Sequence, residues 1–223
     1  MASVVRFGLV AAGVGALAIG AHVYVGHWRP SPDTYPLQGV DLGEQPPAME
    51  WPSVRAAGAD FAYLVATSGA GARDPSFEAN WQAVPEAGLR RGAVHLYSLC
   101  EDGARQADLF NATVPRTADA LPAAVDIDQR DGCDAPPGPS VTEGVRAFAH
   151  RVETHTGKPV ILRLSRAAER RYGLSRALDR PLWLQGNLFR PGYATRPWRM
   201  WRASDRRRVE GVEAPLNWDV VAP

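Results

Sequence analysis

Cysteine is nearly absent from this chain of 223 residues; there are two, Cys100 and Cys133. Neither belongs to a CxxC pair or a His/Cys cluster, so a zinc ribbon or finger is excluded and no metal ligand set is expected. Net charge is almost absent too, at +1 from 25 basic and 24 acidic residues, which removes the electrostatic footprint of a nucleic-acid binder. The densest basic run, Arg206 to Arg208, reads as a solvated loop. The chain also lacks a GxSxG elbow, an HExxH helix and a phosphate loop, so the usual signatures of serine hydrolases, zinc peptidases and nucleotide enzymes are missing. No internal repeat of fixed period is found, and no cofactor is expected.

What remains is an ordinary globular composition, 45% hydrophobic and 22% charged, with enough apolar material for one large core. One domain and a monomer are the expectation. The N-terminus departs from that composition. After Arg6 come 20 residues, 7 to 26, whose one ionisable side chain is His22, a length that can cross a bilayer as a helix. Residues 1 to 26 read as a signal peptide or anchor. Ala16 and Ala18 offer a small-x-small cleavage site, but the apolar run continues past them, which favours an uncleaved inner-membrane anchor and a periplasmic body. In that oxidising compartment Cys100 and Cys133, each following a strand-like run, are expected to form a disulfide.

Residues 27 to 37 are a Pro-rich linker, and the domain proper spans 38 to 223. Short apolar runs then alternate with amphipathic segments, the pattern of βα units on a parallel sheet. Strands are expected at 39 to 42, 61 to 67, 92 to 99, 123 to 128, 159 to 165, 181 to 186, 198 to 204 and 215 to 220. Helices are expected at 51 to 59, 74 to 89, 103 to 114 and 141 to 157. Phe77, Trp81 and Val84 fall at helical spacing, with Pro85 bending or ending their helix. Ser140 or Thr142 is the expected cap of the last helix, and Gly157 its end. Eight strands, with helices clear in the first half and thin in the second, predict an α/β fold, an irregular TIM-like β/α barrel behind the N-terminal hydrophobic segment.

In such barrels chemistry sits at the C-terminal ends of the strands. Polar residues near these ends are Asp41, Thr67, His95, Tyr97, Asp126, Asp128 and Asn217, distant in sequence but expected at one mouth. The stretch PAAVDIDQRDGC, 122 to 133, stands out. Side chains at i and i+2 of a strand share a face, so Asp126 and Asp128 form either a carboxylate pair suited to acid/base work or solvated acids at a strand end. His95 likewise reads either as a satisfied barrel histidine or as a sugar contact. Trp51, Trp183, Trp198 and Trp201 suit core packing better than sugar stacking.

These motifs, in their order, resemble glycoside hydrolase family 25, the N-acetylmuramidase lysozymes. The resemblance is carried by GVDL at 39, AGADFAYLVATSG at 57, DPSFEANW at 74, AGLRRGAVHLYSLC at 87, LPAAVDID at 121, TGKPVILRLS at 156, PLWL at 181, WRMWRAS at 198 and PLNW at 215. It is similar above all to proteobacterial members with a cysteine after the third strand and another after the fourth. The resemblance implies an irregular β/α barrel that cuts the β-1,4 bond between N-acetylmuramic acid and N-acetylglucosamine in peptidoglycan. It implies Asp41 and Asp126 as catalytic acids, Asp128 in the place of the family's glutamate general acid, and His95, Tyr97 and Asn217 as substrate contacts.

The pattern also departs from the family. Asp128 is one methylene shorter than the usual glutamate, Pro215 stands where a last aspartate is usual with Glu213 two positions earlier, and Ser68 replaces a common acid. The strand after TGK reads LRLS where an aromatic is usual. Two expectations follow: a muramidase with an altered acid set, or a membrane-tethered module that binds peptidoglycan or an envelope partner without cutting it.

Overall fold

The computed structural model describes residues 15, 17, 19–46, 48–129 and 137–223. Nine strands make one sheet: β1 Gln38–Asp41, β2 Phe61–Ser68, β3 Ala72–Arg73, β4 Arg90–Leu96, β5 Ala124–Ile127, β6 Ile161–Leu164, β7 Leu182–Gln185, β8 Met200–Arg207 and β9 Leu216–Val221. Their order is β1-β9-β8-β7-β6-β5-β4-β2-β3, and a further parallel pairing of β1 with β2 closes eight of them into a barrel. The predicted barrel is therefore present. The short β3, absent from the sequence-based reading, folds back on β2 as an antiparallel flap at Thr67 and Ser68.

Among the described residues of the barrel domain six helices follow in order: α1 Trp51–Ala56, α2 Phe77–Glu86, α3 Gly103–Thr113, α4 Gly138–Thr156, α5 Arg166–Tyr172 and α6 Leu174–Ala177. Pro85 sits in the last turn of α2, which ends one residue later. Asp102 caps α3 by accepting the Arg105 N–H at 2.9 Å. Gly157 ends α4 as expected, with φ of 70° that only glycine adopts without strain. The start of α4 differs from expectation. It begins at Gly138, so Ser140 and Thr142 lie inside the helix; a proline in its first turn is tolerated because no intrahelical partner awaits its missing N–H.

The second half of the barrel also corrects the parallel expectation. No helix separates β8 from β9, so β9 returns as a hairpin and runs antiparallel to both β8 and β1. Asn217 consequently lies near the start of its strand, facing Asp41 across the pair. Arg206 and Arg207 are not loop residues but the end of β8, Arg206 exposed and Arg207 half-buried. Between 28 and 37 the chain makes turns but no helix or strand, and Trp28 and Tyr35 pack against Trp201 on the barrel's outside.

Two apolar layers result from the alternation of side chains along the strands. Inside the barrel lie Phe61, Tyr63, Val94, Ile161, Trp183 and Met200, and Trp183 packs on Tyr63 with ring centroids 5.0 Å apart. Outside, Leu162, Leu164 and Ala93 meet the helix faces through Trp81, Phe110 and Phe148. Of the four tryptophans weighed above, Trp51, Trp183 and Trp201 are buried and Trp198 packs partly buried against Trp201 and Tyr35, so all four belong to packing.

Most of residues 1–18 and all of residues 130–136 lie outside the described residues, and with them most of the expected membrane segment and Cys133 of the expected disulfide. Residues 19–27 are helical, with Ile19, Val23 and Tyr24 exposed. Among the described residues no helix is long and apolar enough to cross a membrane.

Candidate active site

The strand ends of β2, β4 and β5 open on a cleft of about 460 Å³ at the C-terminal mouth of the barrel. Ser68, Leu96, Asp126 and Asp128 come from those ends, and Glu44, Gly69, Tyr97, Ser98 and Glu101 from the loops that follow β1, β2 and β4. Asp126 is the last inward-facing residue of β5 and is buried, while Asp128, just past the strand, is half-buried. The two predicted carboxylates thus share one cleft. Its wall is acidic because Glu44 and Glu101 join them, and the Glu101 carboxylate also accepts the Ala70 N–H at 2.7 Å, holding the turn after β2.

Beneath the cleft the barrel interior turns from apolar to charged. Arg163 on β6 donates to Asp41 at 2.7 Å and to Asp126 at 2.8 Å, and its guanidinium lies 5.0 Å from the Trp183 ring centre. Arg202 on β8 reaches the same Asp41 carboxylate at 2.8 Å, and Asn217 donates to it at 3.2 Å. Asp219, two residues along the same face of β9, accepts the Trp183 indole N–H at 2.8 Å. Asp41, at 1% exposure, Arg163, at 2%, and Asp219 are out of solvent, while Arg202 and Asn217 are half-buried.

Electrostatics assigns the protons. Burial works to raise the Asp41 pKa, but Arg202 and Arg163 outweigh it and hold the carboxyl below the usual aspartate value. Asp219 goes the other way, pushed well above that value by burial and by the negative charge of Asp41. Both causes favour its neutral, protonated form. For Arg163, burial opposes the charge, but Asp126 and Asp41 together keep it ionised. Two guanidiniums therefore face three acids, of which Asp219 is the one biased toward its neutral form.

Not all predicted residues meet in the cleft. Asp41 and Asn217 belong to the buried network below it. Of the two readings of His95, the structure fits the satisfied barrel histidine: on β4 it alternates away from the inward-facing Leu96, so it faces the helix layer and not the mouth. There it is fully buried, with Nδ1 2.7 Å from the Thr67 hydroxyl, Nε2 2.9 Å from the Gln106 carbonyl oxygen, and its ring stacked on Phe148 at 4.6 Å. Burial lowers its pKa to about 4, against the pull of Gln106 and Asp126, so it is neutral. Thr67 is thereby a partner of His95 and not a cleft residue. Tyr97 does line the cleft, but its hydroxyl lies between Gly103 and Gly144, at the crossing of α3 and α4. Burial pushes that phenol's pKa up.

Sequence reasoning missed Arg163, Arg202 and Asp219. Each sits at an inward position of an otherwise apolar strand, and period-two alternation through ILRL, MWRAS and LNWDV was the available signal. Among the described residues no group of three or more His, Cys, Asp or Glu side chains is placed to hold a metal ion.

Comparison with known proteins agrees with this architecture. Residues 40–212 match the family model described as Glycosyl hydrolases family 25. YegX of Escherichia coli is 30% identical over 196 residues, covering 85% of this chain and 71% of that protein. Lysozyme M1 of Streptomyces globisporus is 28% identical over 200 residues, 83% of this chain and 67% of that one. Among solved structures, a family 25 glycosyl hydrolase from Bacillus anthracis superposes with a TM-score of 0.81 at 26% identity, over 88% of this chain and 92% of its own. A lysozyme from Streptomyces coelicolor shares the fold, with a TM-score of 0.73 at 24% identity over 83% of this chain and 91% of its own. A closed barrel with a paired-aspartate cleft at its C-terminal mouth, matched along most of its length, makes this chain a member of glycosyl hydrolase family 25.

Proposed function

We propose that this chain is a muramidase-like peptidoglycan hydrolase, cutting the β-1,4 bond between N-acetylmuramic acid and N-acetylglucosamine. The observation that carries the reading is the pairing of Asp126 and Asp128 on the wall of an open cleft at the mouth of a family 25 barrel. Asp128, half-buried at the rim, is the proton donor to the glycosidic oxygen. Asp126 faces the positive charge that develops on the sugar, or orients the acetamido group whose oxygen does so. Asp41 acts from below, through Arg163. The substrate side is glycan, with the ring of Tyr97 as a wall of the cleft.

The chain works as a monomer in the periplasm, held to the inner membrane by its N-terminal segment, with no cofactor. A second reading, a tethered module that binds glycan without cutting it, is favoured by Pro215, which puts no carboxylate where the family's last aspartate is usual.

Release of reducing ends from purified peptidoglycan separates the two. Asp128→Asn is expected to lower release by roughly a hundredfold or more, the contribution of a positioned acid. Asp128→Glu, which restores the family's reach, is expected to raise it by up to about a hundredfold, since about 1 Å of misplacement can cost that order of rate. If parent and both variants release nothing yet still sediment with peptidoglycan, the binding module is the better account.

A further inference from the structure

We propose that Arg163 is a positioning residue for this reaction: it holds the Asp126 carboxylate charged and aimed into the cleft. The inference rests on the hydrolase reading above and adds a residue to it.

The geometry is that of a fork with both tines engaged. The two terminal nitrogens of Arg163 reach Asp41 and Asp126, carboxylates that arrive from β1 and β5 across the barrel interior. Strand register places Arg163 directly beside Asp126 and beside Trp183, whose ring flanks the guanidinium. A planar, permanently charged group suits this bridging; a lysine ammonium, shorter and without a fork, reaches one carboxylate well or two badly. Asp126 is the only member of this pairing that also lines the cleft, so the orientation set below is presented to substrate above.

Among the described residues, the groups that bear on the ionisation of Asp126 come from five strands and the rim of the cleft. From β6 comes Arg163; from β8 comes Arg202, committed to Asp41; from β1 comes Asp41 itself, already matched by both arginines. On β9 the Asp219 carboxyl is biased toward its neutral form, and on β4 His95 is neutral. On the rim stand Asp128, Glu44 and Glu101. Among the described residues Arg163 is the cation shown bonded to Asp126. Acids around the cleft disfavour a negative charge on its wall, and the buried guanidinium offsets that at the carboxylate it touches. Asp126 is thereby fixed as a charge, one of the two roles that glycosidic cleavage divides between a carboxylate and an acid.

The test uses the full chain in detergent, with Arg163→Lys and Arg163→Met, each checked for fold by circular dichroism. The readout is reducing-end release from purified peptidoglycan, from acidic to neutral pH. Arg163→Lys is expected to lower kcat by about tenfold or more with KM changed by less than about threefold, because substrate contacts remain and only the aim of Asp126 is lost. In Arg163→Met the acid limb of the kcat profile is expected to move about one pH unit toward neutral, since Asp126 without its cation takes up a proton more readily. A smaller movement of the same sign is expected in Arg163→Lys, which serves alone if the methionine variant does not fold. Parental kcat in Arg163→Lys, or a lower kcat with an unmoved acid limb, overturns the assignment while leaving the hydrolase reading intact. No release by the parent protein overturns both.

Discussion

Asp41 and Asp219 lie beside one another in the barrel interior with pKa values shifted in opposite directions, and that contrast sets what each contributes. Asp41 is the counter-charge to two arginines; its removal leaves Arg163 with Asp126 alone and takes the ion pair from Arg202. Asp41→Asn is expected to destabilise the fold by about 3–5 kcal/mol, the usual cost of orphaning a buried charge, seen as a fall in the urea midpoint. Asp219→Asn keeps an acceptor for the Trp183 N–H. It is expected to be nearly neutral in acid, where the carboxyl is protonated in the folded and the unfolded chain alike. The signs with pH also differ. The raised pKa of Asp219 contributes stability that is present below its unfolded value of 3.8 and lost as pH rises through the folded value, so Asp219→Asn should gain on the parent toward alkaline pH. The lowered pKa of Asp41 contributes stability present above 3.8 and lost as pH falls through its folded value.

At the scale of elements, β4 is tied to the helix layer by His95. Its neutral ring is locked between Thr67 of β2, Gln106 of α3 and Phe148 of α4. Gln106 itself is fully used, its side-chain amide donating to the carbonyls of Ser98 and Glu101 in the loop that borders the cleft. Because the folded pKa lies at about 4 against 6.5 for the free side chain, stability is fully present above 6.5 and is lost as pH falls toward about 4. That window carries roughly 3 kcal/mol. Urea melts of the parent should show this decline. His95→Phe should start lower at neutral pH by about 1–3 kcal/mol, from unsatisfied polar partners, and lose its share of the slope. Helices α3 and α4 cross at two glycines, where a Cβ on Gly103 would overlap the Gly144 carbonyl oxygen. The existence of these helices is legible from their periodicity; that glycines permit their crossing is not, because nothing in a single sequence says which two helix faces touch.

For the molecule as a whole, the apolar N-terminal run and the two cysteines make one prediction about compartment. The full chain is expected in the membrane fraction, with Cys100 and Cys133 linked in a single peptide on mapping without reductant. Reduction is expected to cost about 2–4 kcal/mol, the typical contribution of such a cross-link. Free thiols on both cysteines would sink that expectation. The bridge would tie the loop after β4 to the chain five residues beyond Asp128. Barrel closure itself is a whole-molecule property: β1 and β2 pair in parallel at Gly39 to Asp41, and only that contact turns an open sheet into one with an inside.

Strands such as FAYLVAT and PVILRLS, the helices near Pro85 and Gly157 that alternate with them, and the placing of Asp126 and Asp128 at one strand end are all legible in the residues alone. Those are local consequences of side-chain periodicity, backbone restriction and spacing two residues apart, and they need no knowledge of what lies across the fold. Tertiary structure alone decided that Arg163, Arg202 and Asp219 meet Asp41 beneath the cleft, and that His95 faces the helices. An inward or outward direction acquires meaning only when the barrel closes, and a charge in an apolar strand finds its partner only when β1, β5, β6, β8 and β9 are brought around one interior.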